Sequence, residues 1–200
     1  MNNARHLFPL DEFCAQAGRP APHTEFIPGD EVPEPYRSLL VHGHDMTPTL
    51  EQFYGGDIHL QILSRERWGE AYFRQVVLRL NGSELPVEFG ANKISLELFS
   101  PGLRDLILEE RVPLGHLLRV HQIHHTNHPQ AFLRLHPDEF IGRALGLAEA
   151  PVLYGRRTTL RDPQGRPLSE IVEILPPATP VKPRPATGLG VGADAATARA

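Results

Sequence analysis

The dipeptide Asn81-Gly82 constrains this chain most. It stands between two stretches rich in β-branched, aromatic and other large apolar residues, 72–80 and 85–89. Both central residues of a type I′ turn need φ > 0, and asparagine and glycine tolerate that best. The pair therefore predicts an antiparallel hairpin. A second turn, Asp162-Pro163-Gln164-Gly165, separates 152–161 from 167–175 and predicts another. Further strands are predicted at 57–63, which alternates, and at 93–98.

Helix signals are fewer. Leu103, Leu106 and Ile107 fall at helical spacing within 102–110. Pro137-Asp138-Glu139 opens another helix running to about Leu145, with proline in the first turn and acids near the positive end of the dipole. Hairpins with separate helices predict an α+β fold, a single domain on an antiparallel sheet. The domain is expected at 28–177. Residues 1–27 read as a weakly structured N-terminal arm, with Leu7, Phe8, Leu10 and Phe13 able to pack on the body. Pro176, Pro177, Pro180, Pro183 and Pro185 lead into a Gly/Ala-rich end, so 178–200 is expected to be a disordered tail.

Composition excludes several classes. A net charge of −4 gives no basic footprint for nucleic acid. The single Cys14 excludes an internal disulfide framework and a multi-cysteine zinc site. No apolar run approaches the roughly 18 residues of a membrane span. The first residues lead into no apolar signal segment, so a cytoplasmic location is expected. Lys93 and Lys182 are the only lysines among 20 basic residues, and arginine's planar fork suits carboxylates.

Strand parity singles out two charges. Arg74 shares a face with Tyr72, Val76, Leu78 and Leu80, opposite Phe73, Gln75, Val77 and Arg79. The first face is the more apolar, so Arg74 is expected to point inward. Glu173 shares a face with Ile171 and Leu175, although parity alone does not choose it over Glu170, which lies with Leu168, Val172 and Ile174. Inward charges on different strands need each other or a ligand.

Other candidates are weaker. His116, His121, His124, His125, His128 and His136 crowd one segment. A helix would gather His121, His124, His125 and His128, but a strand would split them, and no HExxH pattern accompanies them. They read as solvated or core histidines, as do His42 and His44. There is no GxSxG, P-loop or Rossmann fingerprint. Gly188-Leu189-Gly190-Val191-Gly192 reads as linker.

Taken in order, Leu39-Leu40-Val41, Asp45-Met46-Thr47, Arg74 ahead of the Asn-Gly hairpin, Pro113-Leu114-Gly115, Tyr154-Gly155-Arg156-Arg157 and Glu173-Ile174-Leu175-Pro176 resemble the chorismate pyruvate-lyase family, especially its divergent bacterial branch. The resemblance covers about 39–177. It implies a six-stranded antiparallel sheet, flanking helices and an enclosed ligand cavity. It implies conversion of chorismate to 4-hydroxybenzoate and pyruvate with no cofactor or metal. Arg74 would hold the ring carboxylate, Glu173 would sit at the hydroxyl end, and Met46 and Leu114 would contact the ligand through backbone groups. The implied partner is the small-molecule substrate alone, on a monomer or weak homodimer, with no nucleic acid and no membrane. The histidine-rich segment, the proline tail and the long arm depart from the family pattern. The rival is a non-catalytic binder of small aromatic acids, like the effector domains of some bacterial transcription regulators. Those regulators carry a winged helix, for which 1–27 is too short.

Overall fold

A computed structural model describes residues 7–178. Helices α1 (Leu10–Gln16), α2 (Tyr36–Leu40), α3 (Met46–Tyr54), α4 (Pro101–Leu108), α5 (Leu114–Val120) and α6 (Glu139–Ala144) surround one sheet. Its strands are β1 (Thr24–Ile27), β2 (Ile58–Trp68), β3 (Ala71–Leu80), β4 (Pro86–Ser95), β5 (Thr126–Leu135), β6 (Leu153–Arg161) and β7 (Pro167–Leu175). They lie in the order β1-β5-β6-β7-β4-β3-β2, and every neighbouring pair is antiparallel. The α+β class is as expected, but the sheet has seven strands rather than six.

The extra strand comes from the stretch read as a loose arm. β1 pairs with β5, and α1 buries Leu10, Phe13 and Cys14 against Phe73, Phe89 and Val172. Full burial of such side chains contributes about 1.5–3 kcal/mol each, enough to order a short helix that propensity alone would not hold. The tail expected to be disordered lies, from residue 179 on, outside the described residues. Ala178 itself donates its N–H to Tyr36 Oη at 2.9 Å.

Both sheet faces are covered. On one, α1 and α6 pack over Phe73, Val77, Phe89, Ala91, Val172 and Ile174. On the other, α2 and α3 cover Leu78, Leu80 and Leu175, while α4 and α5 cover Tyr72, Ile94, Leu160 and Ile171. Two-sided burial explains why β3 is buried almost without interruption although its sequence alternates only weakly.

Two local expectations are corrected. Residues 85–89 and 93–98 do not form two strands; β4 runs unbroken through Gly90, and Leu96–Leu98 is a 3-10 turn. The Asn81-Gly82 connection is not a two-residue type I′ turn. Positive φ falls on Gly82 (80°) and Glu84 (57°), and the loop spans 81–84, closed by Leu80 N–H to Leu85 O at 2.9 Å. The second hairpin is as read: Asp162 caps its own turn, accepting from Gln164 and Arg166 N–H at 3.0 and 2.8 Å. The helix expected after Pro137 is present as α6, but Asp138 is its cap, accepting from Ile141 N–H at 2.8 Å, so Pro137 precedes the cap rather than standing in the first turn.

Gly155 fixes how closely β6 approaches β7. A Cβ there would lie 2.4 Å from the carbonyl oxygen of Glu173. Gly155→Ala is expected to destabilise the protein by about 3 kcal/mol or more, because strand backbone must move to admit the methyl group. Urea unfolding of the variant checks this.

Candidate functional site

The sheet register sets out the site in rows. Arg74 on β3 pairs with Asn92 on β4, which pairs with Ile171 on β7. One pleat along, Val76, Gly90, Glu173 and Arg156 form a second row across β3, β4, β7 and β6. Beyond it, Leu78 faces Glu88. All of these point to the face covered by α2 to α5. Between the two helix pairs lies a cavity lined by Asp45, Met46, Arg74, Glu88, Asn92, Leu114 and Glu173, among others. It leaves about 50 Å³ to the centres of water molecules. That is several times the roughly 10–15 Å³ that one water requires. Gly90, with no side chain, sits in the floor between Val76 and Glu88; a Cβ there would come within 3.0 Å of Val76 and 3.2 Å of Glu88 Oε1.

Arg74 is 1% exposed. Its Nε and Nη1 have no hydrogen-bond partner among the described residues. Burial pushes its pKa down, opposed by Tyr72 and Glu110. A guanidinium cannot escape by deprotonating, so a buried cation that lines the cavity keeps two donors unsatisfied by the described residues.

Glu173 also faces the cavity, but it is not free. Arg156, fully buried, donates from Nε to Glu173 Oε2 at 2.5 Å. The rest of the Arg156 fork is held by backbone carbonyls: Nη1 donates to Leu40 and His42 at 3.3 and 3.1 Å, and Nη2 to His44 at 3.2 Å. Arg156 thus ties Glu173 to the loop before α3. Glu170, the alternative by parity, lies on the opposite face, 3.2 Å from Lys93 Nζ. The expected Arg74–Glu173 combination is therefore brought to one cavity, without a direct ion pair between the two.

Met46 and Leu114 line the cavity and begin α3 and α5. First-turn N–H groups have no intrahelical acceptor, which is why backbone contact at these two positions is chemically available. Gly115 lets the two helix starts approach, with Thr47 Oγ1 3.4 Å from its notional Cβ.

Sequence reasoning missed Glu88, Asn92, Arg156 as the partner of Glu173, and the pairing of Asp45 with His125. Glu88 is 4% exposed, and its Oε2 has no partner among the described residues. Burial and the adjacent Glu173 charge push its carboxyl well above the ordinary range, against the pull of Arg156. The alternation Glu88, Gly90, Asn92 would have revealed this face had β4 been read as one strand.

The histidines do not gather. His116 is on α5 and His128 on β5, while His121, His124 and His125 lie between. Among the described residues no three His, Cys, Asp or Glu side chains form a group that could hold a metal ion. His125 reaches the site rim, donating from Nε2 to Asp45 at 2.9 Å and from Nδ1 to the Ile123 carbonyl at 2.8 Å. The Asp45 hydrogen bond raises the His125 pKa. Burial works against the Asp45 carboxylate, but its bonds to His125 bring its pKa below the usual value. A raised histidine stabilises the fold below its unfolded pKa, and that stability is lost as pH rises through the folded pKa. The lowered Asp45 adds its share above its unfolded pKa and loses it as pH falls. His125→Asn is therefore expected to cost more stability at pH 5.5 than at pH 9, read from melting temperatures at both.

No protein-family model matches the chain, and no curated protein sequence does. Solved structures do. The effector domain of PhnF from Mycobacterium smegmatis superposes with a TM-score of 0.50 at 13% identity, over 66% of this chain and 88% of that one. A GntR-family transcriptional regulator from Bacillus cereus gives 0.45 at 12%, over 60% and 92%. The ligand-binding domain of a putative GntR-family regulator from Bordetella bronchiseptica gives 0.44 at 15%, over 60% and 86%. The chain thus shares the antiparallel-sheet fold of the PhnF effector domain. No described helix is long and apolar enough to cross a membrane.

Proposed function

We propose that the cavity binds a small ring carboxylate on Arg74, and that the protein eliminates pyruvate from chorismate to give 4-hydroxybenzoate. The observation that carries this is the buried Arg74 fork, with donors unsatisfied by protein, in one cavity with Glu173. A carboxylate accepts two parallel N–H bonds from such a fork and removes the desolvation cost of the cation. The resemblance of the motifs around Arg74, Leu114 and Glu173 to chorismate pyruvate-lyases supplies the reaction.

The elimination balances without a co-reactant. The C4 hydrogen of chorismate leaves as a proton, and its electron pair completes the aromatic ring. The C3–oxygen bond breaks, and enolpyruvate takes a proton on carbon to become pyruvate. Aromatisation drives the step, so positioning and charge stabilisation are the main demands on the protein. Arg74 fixes the ring carboxylate. Glu173, oriented by Arg156, accepts from the ring hydroxyl. The helix-start amides of Met46 and Leu114 complete the contact.

A second reading, binding without catalysis, is favoured by the regulator effector domains that share the fold. Incubating the purified protein with chorismate in excess EDTA separates them. Catalysis yields equimolar pyruvate and 4-hydroxybenzoate under these conditions. Binding without pyruvate release supports the second reading.

A further inference from the structure

We propose that Glu88 is a specificity-determining residue of this cavity, reading a hydroxyl group at the end of the ligand away from Arg74. The inference rests on the reading that Arg74 holds a carboxylate.

The geometry is that of a two-ended site. Glu88 faces Leu78, four residues along β3 from Arg74, a separation of roughly 14 Å at about 3.4 Å per residue. Both side chains reach inward from these ends, leaving a span suited to a ring acid with its hydroxyl para to the carboxylate. An ortho hydroxyl falls short of it. Gly90 keeps the floor between them open.

The chemistry follows from the groups that face Glu88. These are Glu173 from β7 and Arg156 from β6, while Arg74 from β3 and Asp45 at the start of α3 line the same cavity farther off. Arg156 already bonds Glu173, so its charge is largely spent there. An ionised Glu88 would put a second buried anion beside Glu173 without a cation of its own. Its raised pKa agrees with a neutral carboxyl. A neutral carboxyl has one O–H to donate, and Oε2 has no protein partner among the described residues. A ligand hydroxyl satisfies both glutamates at once, donating to the Glu173 carboxylate and accepting from Glu88. A ligand with hydrogen in that place leaves both unpaired, and sites built to bond a hydroxyl reject such analogues strongly.

Calorimetric titration with 4-hydroxybenzoate, benzoate and 2-hydroxybenzoate tests this on the full chain. The wild type should prefer 4-hydroxybenzoate over each of the others by about ten- to a hundredfold. Glu88→Gln keeps a donor and should keep most of the preference. Glu88→Leu should lose it, with 4-hydroxybenzoate weakened about ten- to a hundredfold and benzoate unchanged or tighter. Its melting temperature should hold or rise, because an unpaired buried carboxyl is replaced by an apolar group of similar size. An unchanged preference in a folded Glu88→Leu overturns the proposal, as does a variant that loses stability while keeping the preference. A wild type that binds 4-hydroxybenzoate no better than benzoate overturns Glu88 alone. One that binds none of the three acids overturns the Arg74 reading beneath it.

Discussion

Replacing Arg74 with alanine should weaken binding of 4-hydroxybenzoate by about 1.5–3 kcal/mol, or ten- to a hundredfold, without lowering the melting temperature. The two effects separate because Arg74 makes no hydrogen bond to protein through Nε or Nη1. Removing it deletes a buried, unpaired cation from the free protein and a bidentate contact from the complex. Arg74→Lys should not restore affinity, since a point charge cannot reproduce the fork. Calorimetry and a thermal melt on the same samples check both halves. A variant that unfolds would mean that Arg74 is a structural cation.

Glu173→Gln should cut kcat for chorismate by about 10²–10⁴. It should also destabilise the fold by about 3 kcal/mol, because fully buried Arg156 loses its counter-charge. The two losses are separable. Combining Glu173→Leu with Arg156→Met replaces the pair by apolar groups of similar volume and should recover much of the stability. It should not recover turnover, since nothing remains to accept from the ring hydroxyl. Glu170→Gln is the control. Glu170 lies on the far face against Lys93, so turnover should stay near wild type. Recovery of activity in the apolar double variant would reduce Glu173 to a structural role.

How far the chain could be read beforehand differed by the kind of information required. Parity put Arg74 inward because β3 is continuous and the face that carries Arg74 is the more apolar of the two. It left Glu173 and Glu170 level, since both alternations of 167–175 are apolar; both are buried, one under α3 to α5 and the other under α1. Residue order in the motifs, not periodicity, pointed to Glu173. The role of Arg156 needed the β6–β7 register, which pairs it with Glu173. Glu88 was hidden because Gly90 and the polar Asn92 and Lys93 look like a break in β4. Gly90 is there because the cavity floor has little room for a side chain. β1 and α1 were missed because each is too short to form alone; sheet pairing and burial hold them.

The central claim is that Arg74 anchors a carboxylate inside the sheet-side cavity, and a crystal structure of the protein with 4-hydroxybenzoate tests it most directly. The expected complex has the carboxylate on an edge of the Arg74 guanidinium, the ring over Gly90, and the hydroxyl between Glu88 and Glu173. Ligand bound elsewhere, with Arg74 turned to a protein acceptor, would contradict it.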